Sequence, residues 1–179
     1  MTTILLVRHG ETDWNLQRRV QGHSDTPLND TGRAQATVLA DELATESIDA
    51  VYSSDLMRAH ETARIVADAR GLDVTAIPEL RERHFGTWEG LTDVEIFSRF
   101  PEATEGPWGD GETKDMMETR VTDALHRIAE AHPGGQVLVV THGGPVRVVL
   151  ARCGVNGVGR IENCHVTRIE VDGGGIRAQ

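Results

Sequence analysis

The sequence lacks any long hydrophobic run. Its apolar stretches fall well short of the roughly 20 residues that a membrane-spanning helix needs. The N-terminal stretch, Ile4–Val7, is four residues long, and no basic region precedes it. It is therefore not typical of a signal peptide. We expect a cytoplasmic protein that has no membrane partner.

Cysteine is scarce, and metal-binding motifs are absent from the sequence. The only two cysteines, Cys153 and Cys164, do not stand in a metal-ligand spacing. They favour two free thiols over a disulfide, because disulfides are rare in cytosolic proteins. The eight histidines form no HxxxH or HExxH pattern, and no CxxC occurs. We expect no metal ion and no other cofactor.

Positive charge is in short supply as well. With 18 Lys and Arg against 28 Asp and Glu, the formal net charge is −10, and Lys114 is the single lysine. Such a protein would repel a nucleic-acid backbone, which argues against nucleic acid as a partner. An anionic small molecule would bind only where a local cluster of hydrogen-bond donors overcomes the overall negative field.

Short apolar segments alternate along the chain with segments of helical periodicity. Strands are predicted over 3–7, 49–52, 74–77 and 137–140, and a strand with alternating burial is predicted over 166–171. Helices are predicted over 31–44, 56–69, 114–131 and 145–153. Strands that are apolar throughout and are separated by helices indicate an α/β sandwich with a mostly parallel sheet. The length of 179 residues favours one domain over residues 1–179.

Polar clusters follow three of the predicted strands. Arg8-His9 follows the first strand, Ser53-Ser54 follows the second, and His142 comes just after the strand over 137–140. Ligands of open α/β sheets bind outside the carboxyl ends of the strands. The sequence therefore predicts a binding site where these three clusters meet at one edge of the sheet.

The clusters suit the chemistry of a phosphate group. A phosphoryl group carries about two negative charges near pH 7, and the planar charged forks of Arg8 and Arg58 match its oxygens. The imidazole of His9 is a nucleophile at neutral pH once a partner, such as a carbonyl in the Gly10 turn, fixes its tautomer. His142 would complete the anion cradle opposite His9. A single histidine after a strand is more often structural than catalytic, so the pair of histidines is the stronger indication.

An ordered series of short motifs extends from this first cluster over nearly the whole chain. The series consists of Arg8-His9-Gly10-Glu11-Thr12, Trp14-Asn15, Gln21-Gly22, Asp25–Leu28, Thr31-Gly32, Tyr52–Leu56, Arg58-Ala59, Thr62-Ala63, Leu80–Glu82, Gly86, Trp88–Gly90, Gly111-Glu112 and Thr141–Gly144. It resembles the signature of the histidine phosphatase superfamily, in its phosphoglycerate-mutase-like branch 1. The resemblance implies a three-layer αβα sandwich and a metal-independent phosphatase that forms a phosphohistidine.

The resemblance also implies a role for each matching residue. His9 would accept the phosphoryl group, which Arg8, Arg58 and His142 would hold. Glu82 would act as the general acid that protonates the leaving oxygen and then as the base that activates water. The residues that we expect to bind the substrate are Asn15, Gln21, Gly22, Arg83, His84 and Gly143.

Two further carboxylates compete with Glu82 for the acid role. By chemistry alone Glu79 or Glu89 would serve as well, and each is equally typical of a solvated surface charge. The Leu80-Arg81-Glu82 motif favours Glu82, and what decides the role is which carboxyl lies beside the leaving oxygen.

The chain departs from the family pattern in two segments. The insert at about 91–112 and the connection over 154–162 are both shorter than the resemblance leads us to expect. In the family that the chain resembles, the insert forms the wall that contacts the non-phosphate part of a substrate. A shorter wall predicts an open pocket, and with it broad specificity or a large preferred substrate.

The leading hypothesis is a phosphatase that hydrolyses phosphate monoesters of small metabolites. A cofactor-dependent phosphoglycerate mutase is the alternative. It would need a closed, basic pocket, which the short insert and the single lysine, Lys114, disfavour. A catalytically silent phospho-ligand-binding protein is the third hypothesis. The presence of His9 and Glu82 argues against it, because binding alone needs neither a nucleophile nor a proton donor. The sequence leaves the oligomeric state open and allows a homodimer.

Overall fold

A computed structural model describes residues 1–102 and 110–179 of the chain. Over these residues the strands are β1 (Thr2–Arg8), β2 (Ala50–Ser53), β3 (Val74–Ala76), β4 (Gln136–Thr141), β5 (Val166–Asp172) and β6 (Gly175–Ala178). The helices are α1 (Asp13–Leu16), α2 (Asp30–Glu42), α3 (Met57–Asp68), α4 (Asp93–Arg99), α5 (Lys114–Ala131) and α6 (Gly143–Arg152).

The strands form one sheet in the order β3-β2-β4-β1-β5-β6. Strands β3, β2, β4 and β1 run parallel, while β5 and β6 are antiparallel to their neighbours. The predicted α/β sandwich with a mostly parallel sheet is therefore confirmed. β6 was not predicted, and the glycine-rich stretch Gly173–Gly175 makes the turn that pairs β6 with β5.

The two faces of the sheet carry separate apolar cores, because side chains alternate along each strand. Leu6 of β1 and Val139 of β4 pack with α5 and α6 on one face. Leu5 and Val140 pack with α2 and α3 on the other. Their side chains are fully buried. β1 and β4 thus have helices on both faces, which explains why they read as continuous apolar runs.

The predicted helices are all present, with ends shifted by at most a few residues. The largest functional consequence is at α6, which begins at Gly143 rather than at the predicted Pro145. α1 and α4 were not predicted; each is short and begins at a threonine whose hydroxyl accepts a hydrogen bond from the helix backbone. α4 lies in the insert at 91–112, of which residues 103–109 lie outside the described residues.

Candidate active site

The three polar clusters meet at the carboxyl edge of the sheet, as the sequence predicted. Arg8 at the end of β1 pairs in register with Thr141 of β4, and Ser53 at the end of β2 pairs with Val140. The backbone N–H of His9 donates to the Thr141 carbonyl at 2.9 Å. The side chains of all three clusters are buried. Parallel pairing of β1, β2 and β4 is what brings these distant segments together.

The hydrogen bond of His9 defines which of its ring nitrogens is nucleophilic. Nδ1 lies 2.6 Å from the Gly10 carbonyl, and since a carbonyl only accepts, Nδ1 carries the proton. Nε2 therefore holds the lone pair, and His9 lines a cavity at this edge, which we call the histidine cavity. Burial, reinforced by the positive charges of Arg58 and Arg8, lowers the pKa of His9 well below its ordinary value. The ring is neutral at pH 7, as a nucleophile must be.

His142 lies against His9 as the residue that caps α6. The two ring centroids are 5.1 Å apart, with an angle of 63° between the ring planes. Burial and then the charge of Arg58 lower the pKa of His142 well below its ordinary value. Neither ring nitrogen has a hydrogen-bond partner within the part of the chain that the structure describes. Buried polar atoms are normally paired, so this ring is suited to donating to a bound anion.

Arg8 and Arg58 place two buried positive charges beside the histidines. Burial lowers the pKa of each guanidinium to about 10, so both remain charged at pH 7. Arg58 donates to the carbonyls of Gly22 and Ser24 at 2.8 Å, and Arg8 donates to the carbonyl of Ile161. The Nε atom of each has no partner among the residues that the structure describes. Backbone carbonyls thus hold both guanidinium groups, and neither forms an ion pair with a carboxylate of residues 1–102 or 110–179.

Asn15, Gln21 and Gly22 also border the histidine cavity. The Oδ1 atom of Asn15 accepts from the Thr12 amide at 3.1 Å, which leaves the side-chain NH2 as the group that Asn15 can offer a ligand. Gln21 borders the cavity while its Oε1 accepts from Thr26 at 2.5 Å. Gly22 adopts a φ of +53°, a left-handed conformation that glycine allows, and presents its carbonyl to Arg58.

Of the three glutamates that compete for the acid role, Glu82 is the one that lines the cavity, where Asp93 is the other carboxylate among the described lining residues. Its Oε1 atom accepts from the Arg83 amide at 2.8 Å and its Oε2 atom accepts from the Gly144 amide at 2.9 Å. A Cβ atom at position 144 would collide with Oε1, so this approach requires glycine there. Glu79 instead pairs with Arg127 at the surface. Glu89 accepts hydrogen bonds from the backbone amides of His23, Ser24 and Phe85 and so connects these two segments of the chain.

The segment that carries Glu82 is fastened by a residue that the sequence did not reveal. Arg120 of α5 donates to the carbonyls of Glu79, Arg81 and Glu82 at 2.7–2.8 Å. The same guanidinium forms a bidentate salt bridge with the carboxylate of Glu112, at 2.6 and 2.7 Å. Gly111-Glu112 was one of the quoted motifs, but nothing in the sequence marked Arg120 among the other charges of α5.

The histidine cavity has a volume of about 480 Å³. The predicted residues in its lining are Arg8, His9, Asn15, Gln21, Gly22, Arg58, Glu82 and Gly143, with His142 buried behind His9. Four further arginines line it that the sequence did not single out, namely Arg18, Arg19, Arg147 and Arg160. The cavity is therefore strongly basic although the chain has a single lysine, because arginine supplies the charge.

Two of the predicted substrate-binding residues lie elsewhere. Arg83 lines a neighbouring cavity, the apolar cavity, which extends past Glu82 towards Met117 and Val158. His84 is exposed; its ring lies against His23, 4.9 Å between centroids, and it borders neither cavity.

Fold and site together are those of an enzyme that transfers phosphoryl groups through histidine. The sequence profile of the histidine phosphatase superfamily (branch 1) matches residues 4–179, and the chain belongs to that family. Over 161 residues it is 46% identical to the phosphoglycerate mutase-like protein 4 of Arabidopsis thaliana, covering 83% of this chain and 70% of that protein. It is 42% identical to the metal-independent phosphoserine phosphatase of the same plant, covering 85% and 68%.

A solved structure has the same fold. YhfR of Bacillus stearothermophilus superposes with a TM-score of 0.92 at 36% identity, covering 99% of this chain and 95% of that one. Over residues 1–102 and 110–179, no helix is both long and apolar enough to cross a membrane. Both cysteines are free thiols, as predicted.

Proposed function

We propose that the protein is a metal-independent phosphatase that hydrolyses phosphate monoesters of small metabolites through a phosphohistidine on His9. The observation that carries this proposal is the pairing, in one basic cavity, of a neutral His9 whose Nδ1 proton is held by Gly10 with the carboxyl group of Glu82. A nucleophile and a proton donor beside two fixed guanidinium groups are the parts that phosphoryl transfer requires.

In the first half-reaction the Nε2 lone pair of His9 attacks phosphorus. The bond from phosphorus to the leaving oxygen breaks as Glu82, in its protonated form, gives that oxygen a proton. Arg8, Arg58 and His142 stabilise the charge on the equatorial oxygens, and Asn15 adds a donor. The backbone amides of Arg83 and Gly144 hold the resulting Glu82 carboxylate in place.

In the second half-reaction water attacks the phosphohistidine. The Glu82 carboxylate takes one proton from the water as the new oxygen–phosphorus bond forms and the nitrogen–phosphorus bond breaks. His9 returns to its neutral form, inorganic phosphate leaves, and Glu82 is again protonated. One carboxyl group thus serves both steps because they require opposite proton transfers.

The test is hydrolysis of p-nitrophenyl phosphate in the presence of EDTA, comparing the wild type with His9→Ala. We expect turnover that survives chelation and is abolished in the variant. His126→Ala, a half-buried histidine on α5 that lines neither cavity, is the matched control and should remain active. Loss of turnover on chelation, or equal activity of His9→Ala, would overturn the proposal.

The mutase alternative has one observation in its favour, the basic cavity with Arg147 and Arg160 in its lining. A panel of phosphometabolites distinguishes the two activities. Isomerisation without release of phosphate would indicate a mutase, and binding without any turnover would indicate a phospho-ligand-binding protein. Broad specificity, a homodimer and a cytoplasmic location stay predictions. A several-hundred-fold preference for one small metabolite would contradict the first, and the mass of the protein in solution tests the second.

A further inference from the structure

The apolar cavity adjoins the histidine cavity and has a volume of about 520 Å³. The two cavities share four lining residues: Val20, Glu82, Phe85 and Arg147. Glu82 therefore stands where one cavity passes into the other. If this carboxyl group protonates the leaving oxygen, the atoms attached to that oxygen begin at the entrance to the apolar cavity.

The lining of this second cavity differs in character from that of the first. Beyond the shared residues its apolar side chains are Met117, Val148, Ala151, Val155 and Val158. Met117 and Val148 are almost fully buried, whereas Val155 is 42% exposed. Exposed aliphatic side chains around a concave surface favour an apolar ligand, because each methylene that leaves water contributes to binding.

Positive charge is also concentrated on this cavity. Arg83, Lys114 and Arg147 belong to its lining, against Glu82 as the one carboxylate there among the described residues. The chain as a whole has the opposite balance, with a net charge of −10. Lys114 is its only lysine, and it stands at the first residue of α5 beside the cavity. A cavity of this kind suits a ligand that has an apolar body and an anionic end.

We propose that the apolar cavity binds the alcohol portion of the substrate, and that the preferred substrates are phosphate monoesters whose alcohol has an extended apolar body ending in a carboxylate. This inference rests on the proposed phosphatase function. In the bound ester the phosphoryl group lies beside His9 and the ester oxygen lies beside Glu82. The carbon chain runs past Phe85 into the apolar cavity.

Alkyl phosphates test the apolar part with leaving groups of equal chemistry. We expect kcat/KM for hexyl phosphate to exceed that for ethyl phosphate at least about tenfold, since each buried methylene gives up to about fourfold. Ala151→Trp, an exposed site on α6, would fill the cavity and reduce this ratio to about one to three; Val155→Trp is a second blocking variant at another exposed site. A ratio near one in the wild type, or one unchanged in both variants, would overturn the apolar part.

The anionic end is tested with the phosphate ester of 6-hydroxyhexanoate, which carries a carboxylate where hexyl phosphate has a methyl group. We expect its kcat/KM to equal or exceed that of hexyl phosphate. Lys114→Gln should lower the ratio of kcat/KM for the carboxylated ester to that for hexyl phosphate several-fold. A carboxylate that lowers kcat/KM more than about tenfold would contradict the anionic end. If the protein hydrolyses ethyl phosphate through His9 but does not prefer the longer or the carboxylated ester, the phosphatase proposal stands and only this inference fails. If it hydrolyses none of the esters, the phosphatase proposal itself has failed.

Discussion

The imidazole rings of His9 and His142 lie edge to face, 5.1 Å between centroids, and both are almost completely buried. Burial, together with the neighbouring charge of Arg58, lowers the pKa of each ring well below 6.5. Two adjacent neutral rings between two arginines are compatible with a bound anion, whereas two adjacent imidazolium ions would repel each other. The same arrangement makes the fold sensitive to acid.

We expect the stability of the protein to fall as the pH drops below about 6.5, because the unfolded chain then binds protons at these histidines before the folded chain does. Their contribution is complete above that pH and decreases by at most about 1.4 kcal/mol per pH unit for each histidine. Urea unfolding at about pH 7.5 and about pH 5.5 measures this. His142→Gln should show a smaller loss than the wild type. Equal losses would mean that His142 binds its proton equally in both states.

Glu82→Gln should impair poor leaving groups most. We expect kcat/KM for an alkyl phosphate to fall about 100-fold or more, because an alkoxide needs a proton from a general acid, and kcat/KM for p-nitrophenyl phosphate to fall far less. The ratio kcat/KM reports formation of the phosphohistidine and so isolates the acid step. Glu79→Gln is the control, because that carboxylate faces Arg127 at the surface. Equal losses for both esters would assign Glu82 another role.

Gly144→Ala should separate catalysis from folding. The new methyl group would displace the Glu82 carboxylate, the movable end of a side chain, while alanine favours the helix by up to about 1 kcal/mol. We expect an unchanged or higher melting temperature and a loss of about 100-fold in kcat/KM for alkyl phosphates. At Gly143 a Cβ atom would meet Arg8 and Arg147 only at 3.6–3.7 Å, so Gly143→Ala should lose less. The reverse order of effects would contradict this.

Arg120 should act on the reaction through the position of Glu82. Arg120→Gln removes the donors to three carbonyls and to Glu112, and we expect the free energy of unfolding to fall by about 2 kcal/mol. Activity should fall more for alkyl phosphates than for p-nitrophenyl phosphate, as for Glu82→Gln. Glu112→Gln should give the same pattern, and the double variant should lose less than the sum of both.

A matched control for Arg120 lies on the same helix. Arg127→Gln removes an exposed pair with Glu79, so it should change stability by less than about 0.5 kcal/mol and leave the ratio between the two esters unaltered. If Arg120→Gln reduces the rates for both esters equally, Arg120 stabilises the fold without positioning the general acid.

The sequence predicted the core elements because their signals are local. β1 and β4 are buried on both faces, so they appear as unbroken apolar runs, and α5 shows its apolar stripe at helical spacing. β6 and α1 were missed because each is four residues long and contains neither an apolar run nor a helical repeat. The position of Gly144 inside α6 was missed as well, since glycine is usually a sign that a helix has ended.

Residue types and strand ends, both present in the sequence by itself, determined that His9, Arg8 and His142 meet at one edge of a parallel sheet, and the motif series singled out Glu82. The tertiary structure alone decided which of Glu79, Glu82 and Glu89 reaches the cavity. The direction of the Glu82 side chain depends on Arg120 and Gly144, which belong to helices distant in the sequence. It also gathered Arg18, Arg19, Arg147 and Arg160 into a basic cavity in an acidic protein. A net charge sums over the surface, whereas binding depends on the few charges that the fold places within reach of the ligand.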